Sequence, residues 1–155
     1  MSATTAIRVG SDVLSVQQVT ESVARFGDRY LMRVFTEHEL SSADGSPLVR
    51  AARLAARFAA KEATIKVLRP VDYQPDWRSI EVQRHAGGWC TMALSGHASD
   101  LAEQAGITDM AVSLTHEGDL AAAVVVALCQ HTRKQDVVLG GRPPSGADME
   151  ASSDE

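Results

Sequence analysis

The longest apolar run of the sequence, LAAAVVVALC at residues 120–129, constrains the fold more than any other segment. A transmembrane helix needs roughly 20 apolar residues, so this run is far too short to cross a bilayer. It is rich in valine, and it is apolar at consecutive positions rather than alternate ones. Such a run predicts a strand, at 120–128, whose two faces are both covered. We therefore expect a central strand in a sheet.

The other patterns predict an α+β protein in which an antiparallel sheet packs against one long helix and several shorter ones. Runs of β-branched residues predict further strands at 6–13, with an interruption at Gly10, and at 79–83, 90–94 and 110–115. Apolar residues at three- and four-residue steps predict helices at 15–30, 47–68 and 99–105. Ser15 is placed to cap the first helix, and Pro47 to begin the long one.

Composition narrows the functional class. The 155 residues predict one domain, at 1–130, followed by a polar, acidic tail at 131–155 that we expect to be disordered. A formal net charge of −5 argues against a nonspecific nucleic-acid binder. Cys90 and Cys129 form no CxxC or Cys/His pattern, so neither a disulfide framework nor a zinc site is predicted. We expect a soluble cytoplasmic protein with no membrane or nucleic-acid partner.

Glu62 lies at the margin of the apolar stripe of the long helix, where a carboxylate needs a partner. One interpretation is an intrahelical pair with Lys66 at i,i+4, which contributes about 0.2–0.5 kcal/mol. The other is a metal ion or a phosphorylated ligand, which requires a second acidic residue. Asp12, at a predicted strand end, supplies one, and two carboxylates from separate elements suit Mg²⁺ when a phosphate completes the site.

Two rows of basic residues accompany these carboxylates. Arg50, Arg53, Arg57 and Lys61 follow at three- and four-residue steps beside Glu62 and predict either a phosphate-binding stripe or a solvated face. Arg25, Arg29 and Arg33 recur every four residues. If the first helix extends through them, they form a positive patch for an acidic partner, with a solvated face as the alternative. His116 lies in a predicted tight turn.

Four segments together resemble the holo-[acyl-carrier-protein] synthase family, the small 4′-phosphopantetheinyl transferases, over residues 7–128. These segments are VGSDVLSV, RYLMRVFTEHEL, LAARFAAKEATIKVL and VSLTHEGDLAAAVVV. The resemblance implies the 4′-phosphopantetheinyl transferase fold and a homotrimer with active sites between subunits. It also implies transfer of phosphopantetheine from coenzyme A to a serine of an acyl carrier protein, with release of adenosine 3′,5′-bisphosphate.

The resemblance also implies roles for individual residues. Asp12 and Glu62 would hold Mg²⁺, Lys66 would contact the attacked phosphate, and His116 would contact other phosphate oxygens of coenzyme A. Arg53, Arg57 and Lys61, from the basic row, are further candidates for coenzyme A binding. Either Glu62 or a metal-bound water would accept the serine proton.

Carrier-protein binding is implied for Arg29 and Arg33, and Arg25 is added on its spacing alone. Gln18 replaces a basic residue frequent in the family, and VLRPVDYQPDW replaces a glycine-rich loop after Lys66. Two alternatives stay open. One is a noncatalytic module of the same fold that binds coenzyme A or a carrier protein, and the other is a Mg²⁺-dependent nucleotide phosphohydrolase.

Overall fold

The apolar run forms β5 (Leu120–His131), the central strand of a three-stranded antiparallel sheet. It lies between β1 (Thr4–Ser15) and β4 (Ile107–Glu117), which confirms its predicted central position. The structure, a computed structural model, describes residues 4–131. The odd-numbered residues of β5 face the core: Ala121, Ala123, Val125, Ala127 and Cys129 are all buried.

The remaining elements surround this sheet. The helices are α1 (Val16–Phe26), α2 (Asp28–Val34), α3 (Glu37–Ser42), α4 (Pro47–Leu68) and α5 (Gly96–Gln104), with a short 3₁₀ turn at Trp77–Ser79. A second, two-stranded sheet pairs β2 (Ile80–Arg84) with β3 (Cys90–Leu94), which confirms the predicted hairpin. The α+β prediction is confirmed.

The long helix α4 lies against the inner face of the three-stranded sheet. Ser46 caps its amino end, Pro47 occupies its first turn, and Arg69 ends it in the left-handed conformation. Gly10 of β1 allows the close approach of sheet and helix, because a Cβ at this position would collide with the carbonyl oxygen of Ala63. The predicted interruption at Gly10 is wrong: β1 runs through it without a break.

The predicted first helix is two helices. Gly27, with φ of +57°, separates α1 from α2, so Arg25 lies on a different helix from Arg29 and Arg33. Phe26, the last residue of α1, is exposed. The sequence reading also missed α3, which is signalled by a capping box in which Thr36 and Glu39 bond each other's backbone amides.

The outer face of the three-stranded sheet is apolar and exposed. Side chains on alternate positions of β1 and β5 point away from α4, and six of them are large, apolar and exposed: Ile7, Val9, Val13, Leu120, Val124 and Leu128. In the described part of the chain, no helix is long and apolar enough to cross a membrane. The predicted tail lies outside the described residues except for His131, whose backbone ends β5.

Candidate active site

Asp12 of β1 and Lys66 of α4 form a salt bridge at the edge of the sheet. Lys66 Nζ lies 3.0 Å from Asp12 Oδ1 and donates to the Ser11 carbonyl oxygen at 2.6 Å. Asp12 lies on the face of β1 that packs against α4, two residues after Gly10. The alternation of the strand therefore points the carboxylate at the helix. Lys66 pairs across two elements here, rather than within α4 with Glu62.

Glu62 is half-buried one turn before Lys66, and its environment disfavours its charge. Burial raises the pKa of this carboxyl above its ordinary value, and the negative charge of Asp12 acts in the same direction. The ammonium of Lys66 opposes both. The structure thus brings Asp12, Glu62 and Lys66 together, and the two carboxylates repel each other with one ammonium beside them.

The donor set of this cluster fits a magnesium ion. Magnesium favours oxygen ligands, keeps several waters, and is often held by one or two carboxylates plus substrate phosphates. Within residues 4–131, no group of three or more His, Cys, Asp or Glu side chains could hold a metal ion. Asp12 and Glu62 therefore offer a site with two carboxylates. A divalent cation bound there would relieve the repulsion between them.

A second, basic site lies between α4, the β2–β3 hairpin and β4. It is a cavity of about 310 Å³. Its polar lining comes from Ser42, Arg53, Arg57, Arg84, Thr115 and His116. Three guanidinium groups in one cavity favour an anionic ligand, because they repel one another until an anion neutralises them.

Arg57 is the buried member of this basic cavity. It donates to its own helix at Arg53 O and to both oxygens of Ser42, at 2.9 and 3.2 Å. Its Nε is buried without a hydrogen-bond partner among the described residues. Burial lowers the pKa of its guanidinium, the cause with the largest effect. Arg53 is more exposed and forms a salt bridge of 2.8 Å with Asp44.

Lys61 lies in the core, and its predicted place in a ligand-facing basic stripe is wrong. Its side chain is fully buried and forms a 2.8 Å salt bridge with Glu39. It also donates to the carbonyl oxygens of Trp77 and Ile80. Along α4, the basic row runs from the half-buried Arg50 to the fully buried Lys61, which lies against the β2–β3 hairpin. The buried Lys61 side chain therefore cannot contact coenzyme A directly, and the prediction that it does is wrong.

His116 lies far from the acidic cluster within one chain. Asp12 pairs with Ala123 and His116 with Ala121, so the two residues lie on opposite edge strands with β5 between them. Two strand spacings and a two-residue offset separate their backbones by roughly 12 Å. His116 is exposed and lines the basic cavity, whereas Asp12, Glu62 and Lys66 form a separate cluster.

The arginines predicted to bind a carrier protein are all exposed, and none of them lines the basic cavity. Arg29 and Arg33 lie four residues apart on α2 and so share one side of that helix. Arg25, on α1, holds its guanidinium 5.0 Å from the ring centroid of Phe26.

Sequence reasoning missed two residues of the basic cavity, and also the buried partner of Lys61. Arg84 and Ser42 reach the basic cavity from the end of β2 and the end of α3. Glu39 is the buried partner of Lys61. The capping box marks Glu39 in the sequence, but no local pattern links Arg84 or Ser42 to α4.

The acidic pair with its lysine, together with a separate cationic cavity on an α+β fold, has the chemistry that suits a phosphorylated ligand. The chain belongs to the 4′-phosphopantetheinyl transferase superfamily, whose family model matches residues 8–125. The match includes Asp12, Glu62, Lys66 and His116.

Holo-[acyl-carrier-protein] synthases of several organisms are similar to this chain. A holo-[acyl-carrier-protein] synthase of Chloroflexus aggregans is 41% identical over 129 residues, covering 76% of this chain and 92% of that protein. One of Desulforudis audaxviator is 39% identical over 122 residues, covering 77% of this chain and 91% of that protein. The ACPS–CoA complex of Chronobacterium ammoniagenes has a TM-score of 0.71 at 31% identity, covering 81% and 99% of the two chains.

Proposed function

We propose that this protein is a holo-[acyl-carrier-protein] synthase. It transfers 4′-phosphopantetheine from coenzyme A to a serine of an apo acyl carrier protein and releases adenosine 3′,5′-bisphosphate. The observation that carries the proposal is the convergence of Asp12, Glu62 and Lys66, from two elements of the matched region, into one cluster. Relatives about 40% identical carry this name, and a structural relative is a complex with coenzyme A.

Asp12 and Glu62 would hold Mg²⁺ in this reaction. Bound there, the ion supplies charge neutralisation on the coenzyme A pyrophosphate and so makes the bisphosphate a better leaving group. Lys66, now paired with Asp12, is placed to turn toward an oxygen of the phosphate under attack. Its side chain is half exposed, at 52%, which leaves it free to move.

The transfer forms a bond between the serine oxygen and the β-phosphorus and breaks the bond from that phosphorus to the leaving bisphosphate. The serine proton must leave in the same reaction. Among the side chains of the cluster, Glu62 has the raised pKa that suits a proton acceptor. Lys66 stabilises the charge that develops on the phosphoryl oxygens.

The basic cavity would hold the remaining phosphate groups of coenzyme A. Arg53, Arg57 and His116 line it, and Arg84 joins them. Because His116 lies roughly 12 Å from Asp12 across the sheet, we propose that a complete site combines the acidic cluster of one subunit with the basic cavity of another. The exposed apolar face of β1 and β5 supports such assembly, and we propose a homotrimer.

The acyl carrier protein would dock beside α1 and α2. Arg29 and Arg33 present two positive charges on one helix side, with Arg25 nearby on the preceding helix. Such a patch complements the acidic recognition helix of a carrier protein. Both described cysteines are free thiols, which agrees with our proposal of a cytoplasmic enzyme.

Intact-mass measurement of an apo acyl carrier protein tests the function. Incubation with coenzyme A, Mg²⁺ and the enzyme should add one phosphopantetheine to the carrier and release one bisphosphate. Binding of coenzyme A without any mass increase would instead identify a noncatalytic module. Release of nucleotide in the absence of a carrier protein would identify a phosphohydrolase.

A further inference from the structure

A buried ion pair outside both sites joins α4 to α3. Lys61 Nζ lies 2.8 Å from Glu39 Oε2, and both side chains have no exposed surface. The remaining bonds of the two groups go to backbone. The carboxylate accepts the amides of Thr36 and Val82, and the ammonium donates to the carbonyls of Trp77 and Ile80. Both charges are fully satisfied.

Two of these backbone groups belong to the outer edge of β2. Residues two apart on a strand direct their N–H and C=O groups to the same edge. The Ile80 carbonyl and the Val82 amide point away from β3 and are bonded by Lys61 and Glu39. The ion pair thus takes the place of a neighbouring strand, supplying one donor and one acceptor. A two-stranded hairpin is marginally stable alone, so this attachment matters for its position.

The same hairpin carries a cation into the basic cavity. Arg84 ends β2, and it lines the cavity with Arg53 and Arg57. Burial lowers the pKa of Arg57 most, the charges of Cys90 and Glu39 raise it, and the positive charges of Arg84 and Arg53 lower it. The three guanidinium groups repel one another across the cavity. The Lys61–Glu39 pair fixes the strand that carries Arg84, so it sets the distance between these groups.

Stability alone does not account for such a pair. Replacing a buried ion pair with apolar residues of similar volume is often neutral or stabilising, because desolvation of the two charges offsets their attraction. What the pair adds is a fixed geometry, since each of its bonds has a defined direction. Here that geometry relates α3, α4 and β2.

We infer that Lys61 and Glu39 are positioning residues that hold the β2–β3 hairpin against α4 and keep Arg84 in the basic cavity. They set the affinity for a phosphate-bearing ligand without touching it. The inference rests on the proposed role of this cavity in binding coenzyme A phosphates. The acidic cluster of Asp12, Glu62 and Lys66 lies outside the hairpin, so the chemical step is untouched.

Calorimetry with adenosine 3′,5′-bisphosphate tests the inference. The Lys61→Met/Glu39→Gln double variant removes both charges together, and the amide oxygen at position 39 still accepts the Val82 amide. The dissociation constant should rise about tenfold, as for loss of a bond to a charged group. The Michaelis constant for coenzyme A should rise in parallel, while kcat at saturating coenzyme A stays within about twofold.

A core variant separates positioning from general destabilisation. Val19→Ala removes buried volume on α1, a helix that supplies no residue to the basic cavity, and lowers Tm, but it should leave the dissociation constant unchanged. Arg84→Ala, at an exposed position that leaves the core intact, should weaken bisphosphate binding by about tenfold. Combined with the Lys61→Met/Glu39→Gln variant, it should add little, because both changes remove the same contact.

An unchanged dissociation constant in the folded double variant would overturn the inference, as would full additivity with Arg84→Ala. If Arg84→Ala alone binds normally, the inference is also wrong, and this result does not depend on the double variant folding. The proposed function fails separately, if the wild-type protein binds bisphosphate with this dependence but modifies no carrier protein.

Discussion

Lys66 Nζ lies 3.0 Å from Asp12 Oδ1, although 54 residues separate them in the chain. The salt bridge forms because Gly10 allows β1 to approach α4 closely, which places the end of the strand beside the last turns of the helix. Glu62 completes the cluster one turn earlier on α4. The position of the lysine matters for the proposed function: a cation held by both carboxylates would take the place of the ammonium at Asp12, and Lys66 would then be free to contact a phosphate.

The first prediction concerns the two carboxylates. Asp12→Asn and Glu62→Gln should each reduce transfer by at least about 100-fold, because each removes a ligand from a site that has only two protein carboxylates. Circular dichroism should show an unchanged fold. Calorimetric titration with Mg²⁺ in the presence of coenzyme A should show weakened metal binding. Wild-type turnover at limiting Mg²⁺ in either variant would remove that residue from the metal site.

The second prediction uses the raised pKa of Glu62. Since the folded protein binds this proton more tightly than the unfolded chain, the stability linked to it is present below the ordinary pKa and is lost as pH rises through the folded-state pKa. Glu62→Gln should therefore raise Tm of the metal-free protein at neutral pH. The gain should vanish in acid, below the ordinary glutamate pKa of about 4.3.

Thermal unfolding in chelator across this pH range measures the effect. Glu21→Gln, at an exposed position on α1, serves as the matched control and should show no such pH-dependent gain. A neutral-pH Tm that falls on Glu62→Gln would show that the charged form is favoured in the fold, contrary to the burial and repulsion found here.

The third prediction concerns Lys66. Lys66→Met keeps the aliphatic length and removes the charge, so the transfer rate should fall by about 10²–10³-fold at saturating substrates. Binding of coenzyme A should change little, since the basic cavity is proposed to hold the other phosphates. Rapid-quench measurement of carrier modification isolates this step. An unchanged rate would limit Lys66 to pairing with Asp12.

Much of the fold follows from local patterns. The long helix is predictable from its cap, its proline and its periodicity, and the central strand from a run that is apolar on both faces. Gly10 and Gly27 show what local sequence patterns cannot predict. One glycine permits close packing and the other breaks a helix, and only the tertiary contact or the backbone angle distinguishes these uses.

The candidate site also contains some residues that the sequence could predict and others that it could not. The family resemblance marks Asp12, Glu62 and Lys66 in the sequence, and the structure brings these three side chains together. Lys61 was misassigned, because a row of cations at helical spacing looks the same whether it stays solvated or descends into the core. Its partner Glu39 belongs to α3, a six-residue helix whose packing no periodicity reveals.

The fourth prediction tests carrier-protein recognition. Arg29→Glu/Arg33→Glu reverses two charges on one side of α2, so attraction to an acidic carrier helix becomes repulsion. The Michaelis constant for the carrier should rise by about tenfold or more, and the salt dependence of association should weaken. Calorimetric binding of coenzyme A should be unchanged. Loss of coenzyme A binding with normal carrier affinity would instead assign these arginines to the cofactor site.

The fifth prediction concerns assembly through the outer sheet face. Val9 is 60% exposed and Val124 is 43% exposed, and both lie on the apolar side of the sheet that faces away from α4. Val9→Lys places a charge where the proposed trimer would bury it. Burial of an unpaired charge costs several kcal/mol, which is enough to weaken association strongly. Sedimentation velocity should show monomers.

Dissociation should also abolish transfer, because the proposed complete site combines the acidic cluster of one subunit with the basic cavity of another. Val71→Lys is the matched control: it adds the same charge at an exposed valine outside the sheet and should leave the assembly intact. Mixing Val9→Lys protein with wild type distinguishes loss of assembly from local damage. If the variant is inactive only because it does not associate, its activity should recover in mixed trimers with wild-type subunits. An active monomer of Val9→Lys would show instead that a single chain holds the complete site.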